Sequence, residues 1–366
     1  MRRFNHILMA VATLFAGVAM TSCNPENNDE PELPAPQPGV RKAFILNEGS
    51  FGGNNAGIAL FAPNADATFV SDIYFAKNNA KLGDLANEMI CDDSSIYVLL
   101  NGSKYVARLD SDCVEKARYT VPPTEGTPRW MHEDNGHLYV SQYGGKVVKL
   151  DATSLVKVGE YNGGSNLEGV AVQDGLLYVA NAYKVDGSGN YVYNTEVHVV
   201  NALTMEQSAT IEVVANPEYI VEAHNKIYVM SKGNYLDISP SMQVIDVKKG
   251  KSTYITNADK ITEGNNGLIY GIRTAYDANW HLKNEFFTYN PATGVISEQS
   301  FLNDAPDIFS TIAIYLLEVD EKTGDIYIGT SDYVTTGTIY RFNRAGNLIH
   351  TFDSGGINPK SMVFID

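Results

Sequence analysis

The chain ends in Asn358-Pro-Lys-Ser-Met-Val-Phe-Ile-Asp366, and the reading of that stretch decides the fold. It repeats the pattern of Asn166-Leu-Glu-Gly-Val-Ala-Val-Gln-Asp174, where a second apolar run, Leu176-Leu-Tyr-Val-Ala180, follows at once. No such run follows Asp366, and the one second strand that lacks a first is Lys42-Ala-Phe-Ile-Leu46. The expectation is that the last strand pairs with this early one and closes the chain into a ring.

Working outward, an aliphatic–Tyr–aliphatic triplet recurs. Its copies are Ile96-Tyr97-Val98, Leu138-Tyr139-Val140, Leu177-Tyr178-Val179, Ile227-Tyr228-Val229, Ile269-Tyr270 and Ile326-Tyr327-Ile328, with Ala43-Phe44-Ile45 a variant first member. Their spacing is about one propeller-blade length. Turns such as Glu133-Asp-Asn-Gly and Gln173-Asp-Gly precede the triplets. Alternating strands ending in Asp or Asn follow, as in Val147-Val-Lys-Leu-Asp151 and Ile339-Tyr-Arg-Phe-Asn343, and then a fourth strand. Four short strands with turns between them make one blade. The fold class is therefore all-β, a seven-bladed β-propeller closed by the C-terminal strand pairing with the N-terminal blade; six and eight are the neighbouring counts. Each blade has apolar faces that only its neighbours can cover, and closure hides the bare edges. The triplet tyrosines are core and carry no function.

Strand order brings the second-to-third connections and the links to the next blade to one end. That end carries the long loops, and their Tyr, Asn, Gly and Ser content is a binding palette of rigid aromatic area and adaptable hydrogen-bonding groups. Candidate contacts are Asn47, Glu48 and Phe51 in the first loop, Tyr143 in Gln142-Tyr-Gly-Gly145, and Asn181 and Tyr183 in the loop 181–193. Further along come Tyr235 in 231–240, Arg273, Tyr276 and Trp280 in 273–283, Phe309 in 301–310, and Tyr333. Arg129, at the opening of a first strand, is also a candidate contact, while Trp130 beside it reads as packing.

The N-terminus is a targeting segment. Arg2 and Arg3 precede an apolar stretch at 7–20 that is short for a membrane span, and Met20-Thr-Ser-Cys23 resembles a bacterial lipobox. Residues 1–22 read as a lipoprotein signal peptide and 23–40 as a lipidated, acidic, disordered tether, with the propeller over 41–366. Acyl chains on Cys23 would hold the protein on a membrane without a crossing helix. The acidic cluster Glu26, Asp29, Glu30 and Glu32 resembles the surface-export signal of Bacteroidetes lipoproteins, implying an outer-membrane anchor facing the exterior. The formal charge is −16, and removal of Arg2 and Arg3 makes it two units more negative. Nucleic acid is excluded as a partner, because phosphate backbones need clustered Lys and Arg.

Cys91 and Cys113 remain in an oxidising compartment, read at the first-to-second and third-to-fourth turns of one repeat. A disulfide between them and two buried thiols are both open. No Gly-x-Ser-x-Gly elbow occurs, and His132, His137, His198 and His224 lie in or beside strands without a Ser and an acid. His281, beside Trp280 in a long loop, is the most exposed histidine candidate. A lactonase-like cation site would draw on Glu48, Asn101 and Asn181. The expectation is a binding protein, not an enzyme, with no resident cofactor.

The opening Phe44-Ile-Leu-Asn-Glu-Gly-Ser-Phe-Gly-Gly-Asn-Asn55 and the Tyr-Val strands resemble the YncE-like, YVTN-repeat propellers over nearly all of the mature chain. With the acidic-tethered lipocysteine, the Asn-Glu-Gly start resembles surface cobalamin-binding lipoproteins of BtuG type. The resemblance implies capture of vitamin B12 or a related corrinoid, with His281 as a candidate cobalt ligand, and its transfer to a TonB-dependent transporter of BtuB type. The alternative is a surface propeller that binds a glycan or protein partner.

Overall fold

The computed structural model describes residues 41–366 apart from 64–68, 93, 165 and 277–281. Cys23 and the tether, and also Trp280 and His281, therefore lie outside the described residues. Seven four-stranded antiparallel sheets are formed, each with its strands in chain order from inside to outside except the first. Blade 2 runs from its inner strand Ala86–Asp92 to its outer strand Glu115–Thr120, blade 3 from Pro128–Asp134 to Lys157–Asn162, and blade 4 from Leu167–Gln173 to Gln207–Glu212. Blade 5 runs from Pro217–Ala223 to Lys251–Thr256, blade 6 from Lys260–Glu263 to Val295–Ser297, and blade 7 from Ala313–Val319 to Leu348–Asp353.

Blade 1 is built from both ends of the chain. Its inner strand is Pro359–Ile365, paired antiparallel to Lys42–Asn47 with Lys42 opposite Ile365 and Phe44 opposite Val363. The seven-bladed ring and its closure are thus as the terminal repeat predicts. One short helix, Ile73–Asn78, fills the step from blade 1 to blade 2; Asp72 caps its start, and Asn79, with φ of 50°, ends it.

Seven hydrophobic clusters hold the ring, one at each seam. The last joins Ala43, Ile45 and Met362 of blade 1 to Leu316 and Tyr327 of blade 7. A seam of this kind exists only in a closed ring. The triplet tyrosines lie in these seams: Tyr97, Tyr139, Tyr178, Tyr228, Tyr270 and Tyr327 are all buried. Two of them reach across, with the Tyr97 hydroxyl donating to the Ala152 carbonyl at 3.0 Å and that of Tyr139 to the Ala202 carbonyl at 3.2 Å. Each such bond adds about 1 kcal/mol to the apolar burial around it.

The Asp or Asn that closes most third strands also has a local cause. Asp151, Asn201, Asp246, Asn290 and Asn343 accept backbone N–H bonds from residues two to four positions on, which closes the turn to the fourth strand. These turns occupy the end opposite the long loops.

Two connections read as loops are strand extensions. In blade 4, Tyr183 pairs with Tyr193 and Val185 with Tyr191, so that a hairpin projects beyond the sheet. In blade 6 the pairing runs out to Tyr276 opposite Leu282. Period-2 alternation in Tyr-Lys-Val and Tyr-Val-Tyr carries the ladder outward, with the turn at Asp186-Gly-Ser-Gly-Asn190 closing it.

Candidate ligand-binding face

The inner strands share a device that aims side chains at the channel mouth. In six blades the inner strand gains residues relative to its partner at its start, forming a bulge. Lys360, Asn87, Arg129, Glu168, Glu218 and Tyr315 sit in these bulges, and Lys260 opens the regular inner strand of blade 6. A bulge re-aims a side chain while the rest of the strand keeps its core register. Asn358, Asn166 and Asn216, all with positive φ, precede three of these bulges. The Asn-Pro-Lys, Asn-Leu-Glu and Asn-Pro-Glu triplets at 358–360, 166–168 and 216–218 are a sequence signal for three of these seven positions, because an αL residue before a strand start marks a turned backbone.

Blades 3, 4 and 5 add an aromatic cleft of about 230 Å³, lined by Tyr143, Tyr183, Tyr191, Tyr193 and Tyr235 together with Glu168, Asn216 and Glu218. Tyr183 lies 6.0 Å from Tyr143 and 5.2 Å from Tyr191 between ring centroids, and Tyr193 lies 5.7 Å from Tyr235. The cleft floor is a buried carboxylate. Glu168 accepts the Tyr143 hydroxyl at 2.7 Å, the Trp130 indole N–H at 3.0 Å and Arg129 Nε at 3.0 Å. Burial pushes its pKa up, with Arg129 opposing, and burial and the adjoining Glu168 push the Tyr143 phenol up. The Arg129 guanidinium also covers the Tyr143 ring at 4.4 Å.

Beside the cleft opens the central channel, a cavity of about 1110 Å³. Trp130 and Tyr219 meet in its wall with centroids 4.5 Å apart. Deeper lie Glu88, whose Oε2 accepts the Met131 N–H at 2.5 Å, and Glu318, which accepts Thr262 Oγ1 at 3.1 Å. Burial raises Glu88 to about 8 and Glu318 to about 7. Glu88 is then largely protonated at neutral pH and Glu318 about half so, and a protonated carboxyl offers a hydrogen bond rather than charge.

The other side chains singled out from sequence divide cleanly. Glu48 belongs to the mouth, where it accepts the Tyr315 hydroxyl and lies 3.6 Å from Lys360. Tyr333 leans on Tyr315 at 5.8 Å and is exposed, as are Phe51 and Tyr276 on their loops. Four expectations are corrected. Asn47 is fully buried and donates to the Ser354 carbonyl at 2.8 Å, which ties blade 1 to the end of blade 7. Asn181 is buried against Asn194, Glu196 and His198 within blade 4. Phe309 is core, stacked among Phe286, Tyr340 and Phe342. Arg273 turns away from the mouth, covering Phe287 and bonding Thr256, the Asn257 carbonyl and Glu298.

Glu48, Asn101 and Asn181 do not converge on a cation, since Asn101 donates to Thr127 and Pro128 and each of the three is tied to a different pair of elements. Among the described residues no cluster of three His, Cys, Asp or Glu side chains could hold a metal. The cysteines are unbridged: Cys91 is exposed on an inner strand and Cys113 is buried beneath the helix. Their turns share one end of the sheet, as expected, but inner and outer strands stand about 10 Å or more apart across it, beyond disulfide reach.

No family model matches the chain, and no curated protein matches it. Solved structures do. The Kuenenia stuttgartiensis hydrazine synthase is similar at 15% identity and a TM-score of 0.54 over 68% of this chain and 73% of that one. The computationally designed Ika8 protein is similar at 12% identity and 0.51, over 86% of this chain and 88% of its own, and U3-55K at 12% and 0.51, over 73% and 81%. At such identities the likeness defines the class of architecture, a β-propeller, and leaves activity to the site itself.

Proposed function

We propose that this protein is a cell-surface lipoprotein that captures cobalamin or a related corrinoid on the long-loop end of its ring. It then passes the ligand to a TonB-dependent outer-membrane transporter of BtuB type. One observation carries the reading. The exposed large apolar side chains Phe51, Tyr191, Tyr235, Leu236, Tyr276 and Tyr333 all stand on second-to-third strand connections, from five different blades at one end. Exposed apolar side chains gathered at one end of the ring support a binding face there. A corrinoid is a wide, amide-fringed disc, and a shallow face fed by several blades suits it better than a narrow slot. Tyrosines would cover the disc, while Asn216, the Tyr hydroxyls and backbone groups would pair with its amides. A rigid seven-seam scaffold holds these groups in place before binding, which limits the ordering cost. The Met20-Thr-Ser-Cys23 stretch and its acidic follow-on support the anchored, outward-facing location. The decisive experiment is calorimetric and spectroscopic titration with cobalamin and cobinamide; absence of heat and of spectral change at micromolar ligand would overturn the reading.

The tyrosine cleft supports a second reading. Its volume of about 230 Å³, with carboxylates at the floor, suits one sugar ring stacked on aromatic faces. A glycan array separates the two: retention of a defined glycan together with silence toward corrinoids would select the sugar.

A further inference from the structure

Three lysines gather at the channel mouth, among the carboxylates Glu48, Glu218 and Asp259, in a chain whose formal charge is −16. Lys232 of blade 5, Lys260 of blade 6 and Lys360 of blade 1 all line the same cavity. The Lys260 and Lys360 ammonium groups lie 5.6 and 5.0 Å from the centroid of one ring, Tyr315, which stands between them on blade 7. Two of the three have a carboxylate: Lys360 is 3.6 Å from Glu48, and Lys232 is 3.7 Å from Glu218. Lys260 has neither an ion pair nor a hydrogen bond to an acid among the described residues, and it lies over the Tyr315 ring. Its sequence neighbour Asp259 is occupied, accepting the Thr274 backbone N–H at 2.6 Å. Glu318, deeper in the channel, is bonded to Thr262. Lys260 is enclosed by protein yet faces the water of the channel, and enclosure, followed by repulsion from Lys360 and Lys232, lowers its pKa to about 7. A cation held in such a place is costly unless something negative joins it.

We infer that Lys232, Lys260 and Lys360 form an anion subsite at the channel mouth that takes a phosphate ester group of the captured molecule. Three ammonium groups carried by three blades into one cavity could each bond a different oxygen of a tetrahedral phosphate. A planar carboxylate is better matched by an arginine fork, and the one arginine in the ring of bulges, Arg129, is already bonded to Glu168. Tyr315 gives the subsite an aromatic wall: its hydroxyl is spent on Glu48, and its ring partly offsets the repulsion between the Lys260 and Lys360 ammonium groups. The inference rests on the mouth being the ligand-binding face, and it sharpens the corrinoid reading. Cobalamin carries a phosphodiester in its nucleotide loop, and cobinamide lacks it.

The test compares the wild-type chain with Lys260→Gln against both ligands, with thermal melts checking that the variant folds. The expected result is that the wild type binds cobalamin at least tenfold tighter than cobinamide. The Gln variant should lose roughly tenfold to a hundredfold toward cobalamin and little toward cobinamide, as removal of one charge-assisted bond requires. Equal loss for both ligands, or no loss for either, overturns the phosphate assignment while leaving corrinoid capture standing. If the wild type binds neither corrinoid, capture is refuted, and inorganic phosphate decides the subsite alone. Saturable broadening of its phosphorus resonance by the wild type, absent with Lys260→Gln, supports it; no broadening overturns it.

Discussion

The Arg41 guanidinium donates from Nε to Asp366 at 2.9 Å, so the first and last described residues lie side by side. The same guanidinium is bonded to Asp320, a fully buried carboxylate of blade 7. One arginine thus spans the seam at which the ring is closed.

Replacing that arginine should be expensive. Arg41→Met strands the Asp320 charge in the interior and is expected to cost about 3–5 kcal/mol in urea unfolding, whereas Asp366→Asn, at an exposed carboxylate, should cost under about 1 kcal/mol. Burial alone would raise the Asp320 pKa, but hydrogen bonds from Arg41 and the following turn hold it below the ordinary range. Its contribution to stability is therefore present above the unfolded carboxylate pKa and is lost as pH falls through the lower, folded value. Acid titration of wild type against the Asp320→Asn variant checks the sign.

Two phenylalanines of the first blade should separate core from face. Phe44 is fully buried opposite Val363, and Phe44→Ala is expected to lose about 3–5 kcal/mol. Phe51 is 89% exposed, and Phe51→Ala should stay within about 0.5 kcal/mol of wild type. Chemical denaturation of both variants reads the difference.

The channel carboxyls predict the opposite pH dependence from Asp320. Glu88 is raised to about 8, chiefly by burial, so the folded state binds its proton more tightly than the unfolded chain. Stability then falls as pH climbs from the unfolded carboxylate pKa toward about 8, by up to roughly 1.4 kcal/mol per pH unit. Glu88→Gln keeps an acceptor for the Met131 N–H and should flatten that decline, leaving the variant more stable than wild type at pH 8. Unfolding free energies measured from pH 5 to 9 decide it.

On the binding face, Tyr191→Ala and Tyr235→Ala should each weaken corrinoid binding by roughly fivefold to thirtyfold, with unchanged melting temperature, because both rings are largely exposed. Phe309→Ala should do the reverse, lowering stability by about 3–5 kcal/mol without a direct effect on the ligand. Titration and thermal melts on the same three proteins distinguish the roles.

The thiols offer a structural check. Cys91 is exposed, but burial on the channel wall raises its pKa to about 11, while Cys113 is enclosed. In the folded protein a thiol reagent should modify Cys91 slowly at pH 8 and Cys113 not at all, with both reacting in denaturant. An intact-mass deficit of about two hydrogens would instead reveal a bridge between them.

Most of the architecture was legible in the sequence because blade strands are short, local and repetitive. The tyrosine triplets, the Asp or Asn at third-strand ends and the unmatched Lys42-Ala-Phe-Ile-Leu46 each have a cause within a few residues. The binding face was legible as a set of loops but not as a set of contacts. Asn47, Asn181, Arg273 and Phe309 had the right residue types at the right end, yet each is absorbed by packing against a neighbouring strand or blade. Glu168 and Glu218 carried a signal in the Asn two positions before each, whereas Tyr315 and Lys260 had none, because a strand-start residue reads the same whether it faces a seam or the channel.

The sequence by itself determined the number of blades, the alternation that buries the seam tyrosines and the pairing of the chain's two ends, since these follow from period-2 patterning and turn chemistry. Which side chains share the mouth was decided only by the tertiary structure. Lys260 and Lys360 are a hundred positions apart in the chain and meet over Tyr315 because ring closure sets blades 6, 7 and 1 side by side. The bulges then turn Lys360 and Tyr315 toward the axis, through an extra residue whose direction depends on the partner strand across the ladder.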